Sequence, residues 1–224
     1  MQAIVGVLLF VALAYLLSEN RRGVAWRAVA FGIGLQFVLA VVLLKIPVVS
    51  QMLFGLNQFV VAIEAATTAG TVFLFGYLGG GELPFNISAA DAPYLFAFRV
   101  LPQVIVFSVI VALLWHWRIL PLFVRGLGWL LRKTMRVGGA VGTAGAASLF
   151  LGMVEAPLVI RAYLARLSRS ELFTVMTLGM STVAGSMLVL YASILQGLIP
   201  GIVGHIITAS LINIVGAIYV SRLM

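Results

Sequence analysis

Apolar runs of about 20 residues recur along this chain, and they constrain its fold more than any other feature. A helix of that length crosses the hydrocarbon core of a bilayer, whereas the strands of a β-barrel show short alternating patterns. Only 9% of the 224 residues are charged, against about 25% in soluble domains, and mean hydropathy is +1.19. The sequence therefore predicts an all-α polytopic protein of the cell (inner) membrane, embedded in the lipid bilayer.

The hydropathy pattern predicts about five transmembrane helices. They cover approximately residues 2–18, 24–44, 93–117, 170–196 and 199–221. No basic segment precedes the first apolar run, so it is not interpreted as a cleaved signal peptide. Residues 48–66 carry a narrow polar stripe of Ser50, Asn57 and Glu64, which fits either an interfacial helix or a helix packed inside the bundle. Residues 67–93 are rich in Gly and other turn formers and are predicted to form an extramembrane connection.

The basic residues divide unequally between the two sides of the predicted membrane protein. Residues 119–136 are predicted to form a basic amphipathic helix, which suits an anionic leaflet. If this helix, the loop after the first span, the 161–169 turn and the C-terminus share one side, only Lys45 and Arg99 of the 14 basic residues lie elsewhere. The positive-inside rule makes the basic side cytoplasmic and puts the N-terminus outside. This placement accounts for the net charge of +8 without a nucleic-acid partner.

Residues 137–163 are predicted to form a re-entrant helical hairpin. Both flanks are basic and should be cytoplasmic, so the segment must enter the membrane and return. Each arm of about 12 residues reaches about 18 Å, which is near the middle of a core about 30 Å thick. The tip then lies between Leu151 and Pro157 and carries Glu155. An ionisable residue at that depth predicts a functional site, and hairpins of this kind are typical of secondary transporters.

The chemistry-bearing residues argue against an enzyme. The chain has no Cys, and its six acidic residues and two His are spread along the sequence. Intramembrane hydrolases and transferases need clusters of His, Asp or Glu for metal binding or acid–base work. We therefore expect no catalytic residues, no resident metal and no cofactor. The alternative to a transporter is a membrane subunit with a purely structural role.

Several motifs resemble those of the concentrative nucleoside transporter family, along essentially the whole chain. Similar to its scaffold signatures are Gly34-Leu35-Gln36-Phe37, the Ala69-Gly70 to Phe75-Gly76 stretch, and Phe96-Ala97-Phe98-Arg99-Val100-Leu101-Pro102. Similar to its first hairpin and to the broken helix that follows are Gly152, Glu155-Ala156-Pro157-Leu158, Tyr163, Ser170-Glu171-Leu172, and Gly179-Met180 to Ala184-Gly185. The resemblance implies a homotrimer that imports nucleosides with H+ or Na+ by an elevator-like movement. It implies scaffold spans over residues 1–136 and the first half of a transport domain over 137–224.

The resemblance also implies a set of binding residues. Glu155 would hold the ribose of a nucleoside, while Met153 and Val154 would contact the base. Met187 is placed either to face the substrate or to pack in the core. A co-transported cation would lie between the hairpin tip and the broken helix. Its expected ligands are Ser148, Leu151, Thr182 and Val183.

Several of these assignments have a plainer alternative. Glu155 lies in the first turn of the second arm of the predicted hairpin, where an acidic residue gains about 0.3–1 kcal/mol from the helix dipole. Ser148 and Thr182 are also ordinary residues at close helix contacts in membranes. The stretch from Gly179 to Gly185 is either unwound or a place of close packing. Gln36, polar within the second span, is placed to bond across helices.

Three departures from the family pattern affect the expected function. Met153 and Val154 replace an amide and a hydroxyl residue and cannot hydrogen-bond a base, so the substrate stays open between nucleosides and a related polar solute. Ser148 replaces an Asn, which weakens a hard-cation site and favours proton over sodium coupling. The chain stops near Met224, where the family continues into a second hairpin and a second broken helix. We therefore expect either a fragment or a half-size subunit, which is non-transporting or needs a partner chain.

Overall fold

The computed structural model describes residues 2–19, 21, 24–84, 95–195, 198–199 and 201–224, and these fold almost entirely into α-helices. The helices in chain order are α1 (Gln2–Leu16), α2 (Trp26–Lys45), α3 (Pro47–Phe75), α4 (Phe96–His116), α5 (Ile119–Met135), α6 (Gly139–Ala147), α7 (Glu155–Val159), α8 (Arg161–Leu164), α9 (Arg169–Ser181), α10 (Gly185–Leu195) and α11 (Ile202–Leu223). A 3-10 turn at Gly76–Gly79 follows α3. Within the described ranges there is no strand, and the predicted all-α class is confirmed.

Four stretches of the described chain are long and apolar enough to cross a membrane, judged by length and composition. They are Trp26–Lys45, Asn57–Gly79, Phe96–His116 and Ile202–Leu223. Three of them, in α2, α4 and α11, match predicted spans, and the multi-pass membrane architecture is confirmed. The first predicted span is a helix of only 15 residues. The predicted span at 170–196 is divided into α9 and α10 by a non-helical break at residues 182–184.

The extramembrane connection predicted at residues 67–93 is wrong over its first part. Residues 67–75 continue α3, which is 29 residues long. Thr67 and Thr71 bond the helix's own carbonyls, at 2.8 Å to Ile63 O and 2.9 Å to Thr68 O, so these polar residues remain inside the helix. The prediction rested on the Gly and turn-forming residues later in the segment. Residues 85–94 of the predicted connection lie outside the described residues.

Helix α11 lies at the centre of the described bundle, between α2 and α9. Its Ile214, Val215 and Ile218 are almost fully buried. Helix α2 approaches it so closely that a Cβ built on Gly32 would lie 2.7 Å from the Cβ of Tyr219. One turn further along α2, Gln36 Oε1 accepts a 2.9 Å hydrogen bond from the Tyr219 hydroxyl. The cross-helix bond predicted for Gln36 is therefore confirmed.

Three polar contacts join the basic segments at one end of the bundle. The guanidinium of Arg169 pairs with the Glu19 carboxylate at 2.8 Å, and the Glu19 N–H donates to Met224 O at 3.2 Å. The Arg222 guanidinium donates to Arg136 O at 3.0 Å. An exposed ion pair adds only about 0–1 kcal/mol to the free energy of unfolding. These contacts therefore indicate which segments lie close together. They bring the loop after α1, the end of α5, the start of α9 and the end of α11 to one end, as the charge distribution predicts.

We expect Gly32→Ala to destabilise the packing of α2 against α11. Its new Cβ would overlap the Tyr219 side chain, and overpacking of this kind costs about 1–3 kcal/mol. For a chain of this length, the melting temperature in detergent should fall by about 2–10 °C.

Gly34→Ala is the matched control on the same helix, because a Cβ at Gly34 meets nothing within 4 Å. Helix propensity alone should make that variant slightly more stable. Equal losses of melting temperature in the two variants would contradict the close approach at Gly32.

Candidate functional site

Residues 148–154 form the turn between α6 and α7, at the tip of the predicted hairpin. The N–H groups of Phe150 and Leu151 both donate to Ala147 O at 3.0 Å. After the turn, the N–H of Ala156 donates to Gly152 O at 3.0 Å and begins α7. The seven residues between α6 and α7 therefore interrupt the regular helix, and the bonds at the two ends of the turn hold them to both helices.

The carboxylate of Glu155 folds back onto this turn. Its Oε2 accepts a 2.6 Å hydrogen bond from the Gly152 N–H. A charge-assisted bond of this length is stronger than a neutral one, so it holds the carboxylate in position. The Glu155 side chain is exposed rather than enclosed. The structure thus places Glu155 at the tip, oriented by the turn.

Glu155 faces a cavity of about 520 Å³ between the hairpin and α4. The cavity is lined by Phe107, Ser108, Val111, Ala112 and Trp115 of α4 and by Phe150, Leu151, Glu155, Leu158 and Val159 of the hairpin. Among the described residues lining it, Glu155 is the one ionisable group. A mostly apolar cavity of this size with one or two polar groups is typical of small-molecule sites. Trp115 and Phe107 supply aromatic surface against which a flat ring could pack.

The other predicted substrate residues do not line this cavity. Met153 packs against α9, where a Cβ on Gly179 would lie 3.2 Å from Met153 Cα. Val154 is 70% exposed at the tip. Met187 on α10 is 40% exposed, so it is not buried in a core. It is also absent from the cavity lining. In this conformation only Glu155 of the four predicted substrate residues meets the cavity.

The predicted break in the helix after the hairpin is present. Helix α9 ends at Ser181 and α10 begins at Gly185, with Thr182 in an extended conformation (φ −107°, ψ 153°). The hairpin tip and this break are joined by hydrogen bonds. Thr182 Oγ1 lies 3.1 Å from Ser148 O and 3.0 Å from Leu178 O of its own helix, and these two acceptors share its one hydroxyl hydrogen. The Gly185 N–H donates to Phe150 O at 3.1 Å.

Two residues of α11 hold the other side of the break, and sequence reasoning missed both. Ser210 Oγ accepts a 3.3 Å hydrogen bond from the Val183 N–H. Asn213 Nδ2 donates to Ser181 O at 3.1 Å. The available signal was two polar residues three positions apart in an apolar span, which puts them on one helix face. Together with the hairpin, α11 satisfies backbone groups that the break removes from the helix.

Of the four predicted cation ligands, the structure brings Ser148 and Thr182 into direct contact. Ser148 is 1% exposed, and its hydroxyl donates to Gly145 O at 2.8 Å. Leu151 belongs to the same turn and Val183 to the same break, so the four residues belong to the two joined interruptions. The oxygens that these residues offer are neutral. The described residues contain no group of three or more His, Asp or Glu side chains suited to a metal ion.

Two protein families match the chain. The family described as Na+ dependent nucleoside transporter N-terminus matches residues 5–78. The family described as Gate, nucleoside recognition, matches residues 97–198. The second match includes α4, the hairpin turn with Glu155, and the break between α9 and α10.

Curated relatives match most of the chain. Nucleoside permease NupC of Helicobacter pylori is 33% identical over 85% of this chain and 45% of its own length. Sodium/nucleoside cotransporter 1 of Homo sapiens is 34% identical over 84% of this chain and 27% of its own. Solute carrier family 28 member 3 of Rattus norvegicus is 31% identical over 97% of this chain and 28% of its own length. The chain thus spans less than half the length of these relatives, which are transporters and not enzymes, as expected from the sequence.

Solved structures of one transporter, CNTnw, share the fold. Its inward-facing substrate-bound state superposes with a TM-score of 0.83 at 31% identity, over 98% of this chain and 51% of that chain. A variant of CNTnw in an intermediate state gives a TM-score of 0.86 at 32% identity, over 99% of this chain and 52% of that chain. The described helices therefore have the arrangement of about one half of that polytopic protein.

We expect Gly185→Ala to separate the break from the hairpin tip. Its Cβ would lie 2.9 Å from the backbone oxygen of Phe150 and 2.7 Å from the Phe107 ring. Because a backbone atom cannot swing away, the overlap should cost about 1–3 kcal/mol and lower the melting temperature by several degrees.

Gly126→Ala on α5 is the matched control, since its Cβ meets nothing within 4 Å. That variant should keep the melting temperature of the unmodified chain or raise it. A Gly185→Ala protein as stable as the control would contradict the contact between tip and break.

Proposed function

The chain belongs to the concentrative nucleoside transporter family and corresponds to its N-terminal half, and from this membership we propose that it takes part in importing nucleosides or a related polar solute. Because the chain spans only part of its relatives, the proposal concerns the protein to which these residues contribute. The position of Glu155 carries the proposal. It is an oriented carboxylate at a hairpin tip, facing a cavity of small-molecule size.

The proposed role of Glu155 is to hold the ribose of the solute. A carboxylate is an acceptor with several lone pairs, so it can receive hydrogen bonds from two neighbouring hydroxyls at once. The bond from Gly152 fixes one of its oxygens in place. An oriented acceptor loses less conformational freedom when the substrate binds, which supports affinity.

We propose that base recognition is weak at the tip. Met153 and Val154 cannot donate or accept the hydrogen bonds that distinguish base edges. Apolar contact and stacking tolerate many ring systems, because every base has an apolar face. Uridine and adenosine should therefore compete for the site with similar affinities.

The proposed coupling ion is the proton, with sodium as the alternative. Sodium is supported by the description of the family that matches residues 5–78. Against it, Ser148 offers a hydroxyl oxygen where the resemblance implies an amide oxygen. A hard cation prefers several well-placed oxygens and charged ligands, so this substitution weakens a sodium site. Glu155 provides a group that can carry a proton with the solute.

The proposed path of residues 137–163 is a re-entrant hairpin entering from the cytoplasm. The polar contacts at one end of the bundle support it, because they gather Arg136 and Arg169 on that side. Family resemblance further supports a homotrimer and an elevator-like movement. In that arrangement residues 137–224 would move against scaffold residues 1–136.

We expect Glu155→Gln to weaken nucleoside binding by about tenfold or more, because hydrogen bonds to charged groups contribute about 1.5–3 kcal/mol. The amide oxygen can still accept the Gly152 N–H, so the turn should persist. The measurement is the affinity of the purified chain for uridine by titration calorimetry, followed by uridine uptake into proteoliposomes under an imposed proton or sodium gradient.

Glu82→Gln is the control, since Glu82 is an exposed acid that does not line the cavity. It should bind uridine as the unmodified chain does, and a proton gradient should drive uptake more than a sodium gradient. Unchanged uridine affinity in Glu155→Gln would refute the role of Glu155. An unmodified chain that binds a related polar solute but neither uridine nor adenosine would refute nucleosides as the substrate class.

A further inference from the structure

A second cavity, of about 770 Å³, lies at the basic end of the bundle. It is bounded by the start of α2, the end of α5 and the end of α11. Four basic residues line it: Arg27, Lys133, Arg136 and Arg222. It is separate from the cavity that Glu155 faces, and no residue lines both.

The charges around this cavity are not balanced within the described residues that line it. Its lining has four cationic side chains from three helices and no carboxylate. Like charges that converge on one cavity repel each other, and the repulsion is strongest where water is partly excluded. An anion in the cavity would convert this repulsion into attraction.

Two of the four cations are held in place by other groups. The Arg222 guanidinium donates to Arg136 O at 3.0 Å, across the gap between α11 and the end of α5. The ammonium of Lys133 lies over the Trp129 ring, 5.1 Å from its centroid. A cation–π contact and a carbonyl contact orient these groups without neutralising them. The cavity thus presents ordered positive charge.

Three large apolar side chains of the lining are exposed. The side chain of Phe31 is 52% exposed, that of Trp129 53% and that of Leu130 47%. The outward side of α5 continues this surface, with Leu122 73% and Phe123 52% exposed. Tryptophan and amphipathic helices of this kind favour the boundary between lipid headgroups and acyl chains. Binding of a small free anion would not be strengthened by this apolar surface, whereas binding of a lipid with acyl chains would be.

We propose that this cavity binds an anionic phospholipid of the cytoplasmic leaflet. Its phosphate would lie among Arg27, Lys133 and Arg222, and its acyl chains would lie along Phe31 and Trp129. Basic pockets between membrane helices on the cytoplasmic side suit such headgroups. The lipid would join α2 and α5 of the predicted scaffold to the end of α11 through Arg222, and so would connect that scaffold with residues 137–224. The site does not depend on the identity of the transported solute.

The test compares two double variants that remove the same charge from the same side. Arg27→Gln with Lys133→Gln changes the cavity, whereas Arg125→Gln with Arg166→Gln changes exposed basic residues that do not line it. Native mass spectrometry of the detergent-purified chain would count retained phosphatidylglycerol against phosphatidylcholine. The unmodified chain should prefer phosphatidylglycerol. The cavity pair should lose that preference by about tenfold or more, and the control pair by less than about twofold.

A third variant, Arg27→Lys with Lys133→Arg, separates charge from folding. It keeps both cations and should keep phosphatidylglycerol. Equal losses in the cavity and control pairs would overturn the proposal, because they would show only a general attraction of the basic side. Binding of inorganic phosphate to the lipid-free chain as tight as that of phosphatidylglycerol would also overturn it, in favour of a free-anion site.

Discussion

A backbone N–H or C=O group that loses its helical partner inside a bilayer must find another partner in the protein, because no water is there to replace it. This chain interrupts its helices twice in the same region, at residues 148–154 and at residues 182–184. The Gly185 N–H of one interruption donates to Phe150 O of the other, and the Thr182 hydroxyl shares its hydrogen between Ser148 O and Leu178 O. Either one alone would leave unpaired groups costing several kcal/mol. Together they form a polar region in an apolar bundle, which is what a solute or cation site requires.

The last helix makes this arrangement part of the whole fold. Ser210 and Asn213 contact the break, while Tyr219, nearer the other end of α11, contacts Gly32 and Gln36 of α2. The same helix therefore touches both the predicted scaffold and the candidate site. Because interiors are close-packed and transmit displacement, a shift of α11 relative to α2 would be felt at the break. This is a physical route by which the scaffold could constrain the site.

Hydropathy and charge predicted the larger features of this fold because both act over whole helices. The spans in α2, α4 and α11, the amphipathic α5 and the gathering of basic segments at one end follow from such averages. The break before Gly185 came from family resemblance, since a Gly also fits close packing. The continuation of α3 through Thr67 and Thr71 was missed, because their bonds to their own helix are invisible in composition. Met153 was predicted to contact the base, and in this conformation it packs on α9, because sequence gives the position along a turn but not the direction in which a side chain points.

The central claim is that residues 137–163 enter and leave the membrane on one side. The chain has no Cys, so Arg136→Cys, Arg161→Cys and Leu198→Cys each introduce a single thiol. Leu198 lies between α10 and α11, exposed, and marks the opposite side in the predicted topology. A membrane-impermeant maleimide applied to one face of oriented proteoliposomes should label the first two thiols together and the third only from the other face. Labelling of the thiols at 136 and 161 from opposite faces would contradict the account, because the hairpin would then be an ordinary crossing.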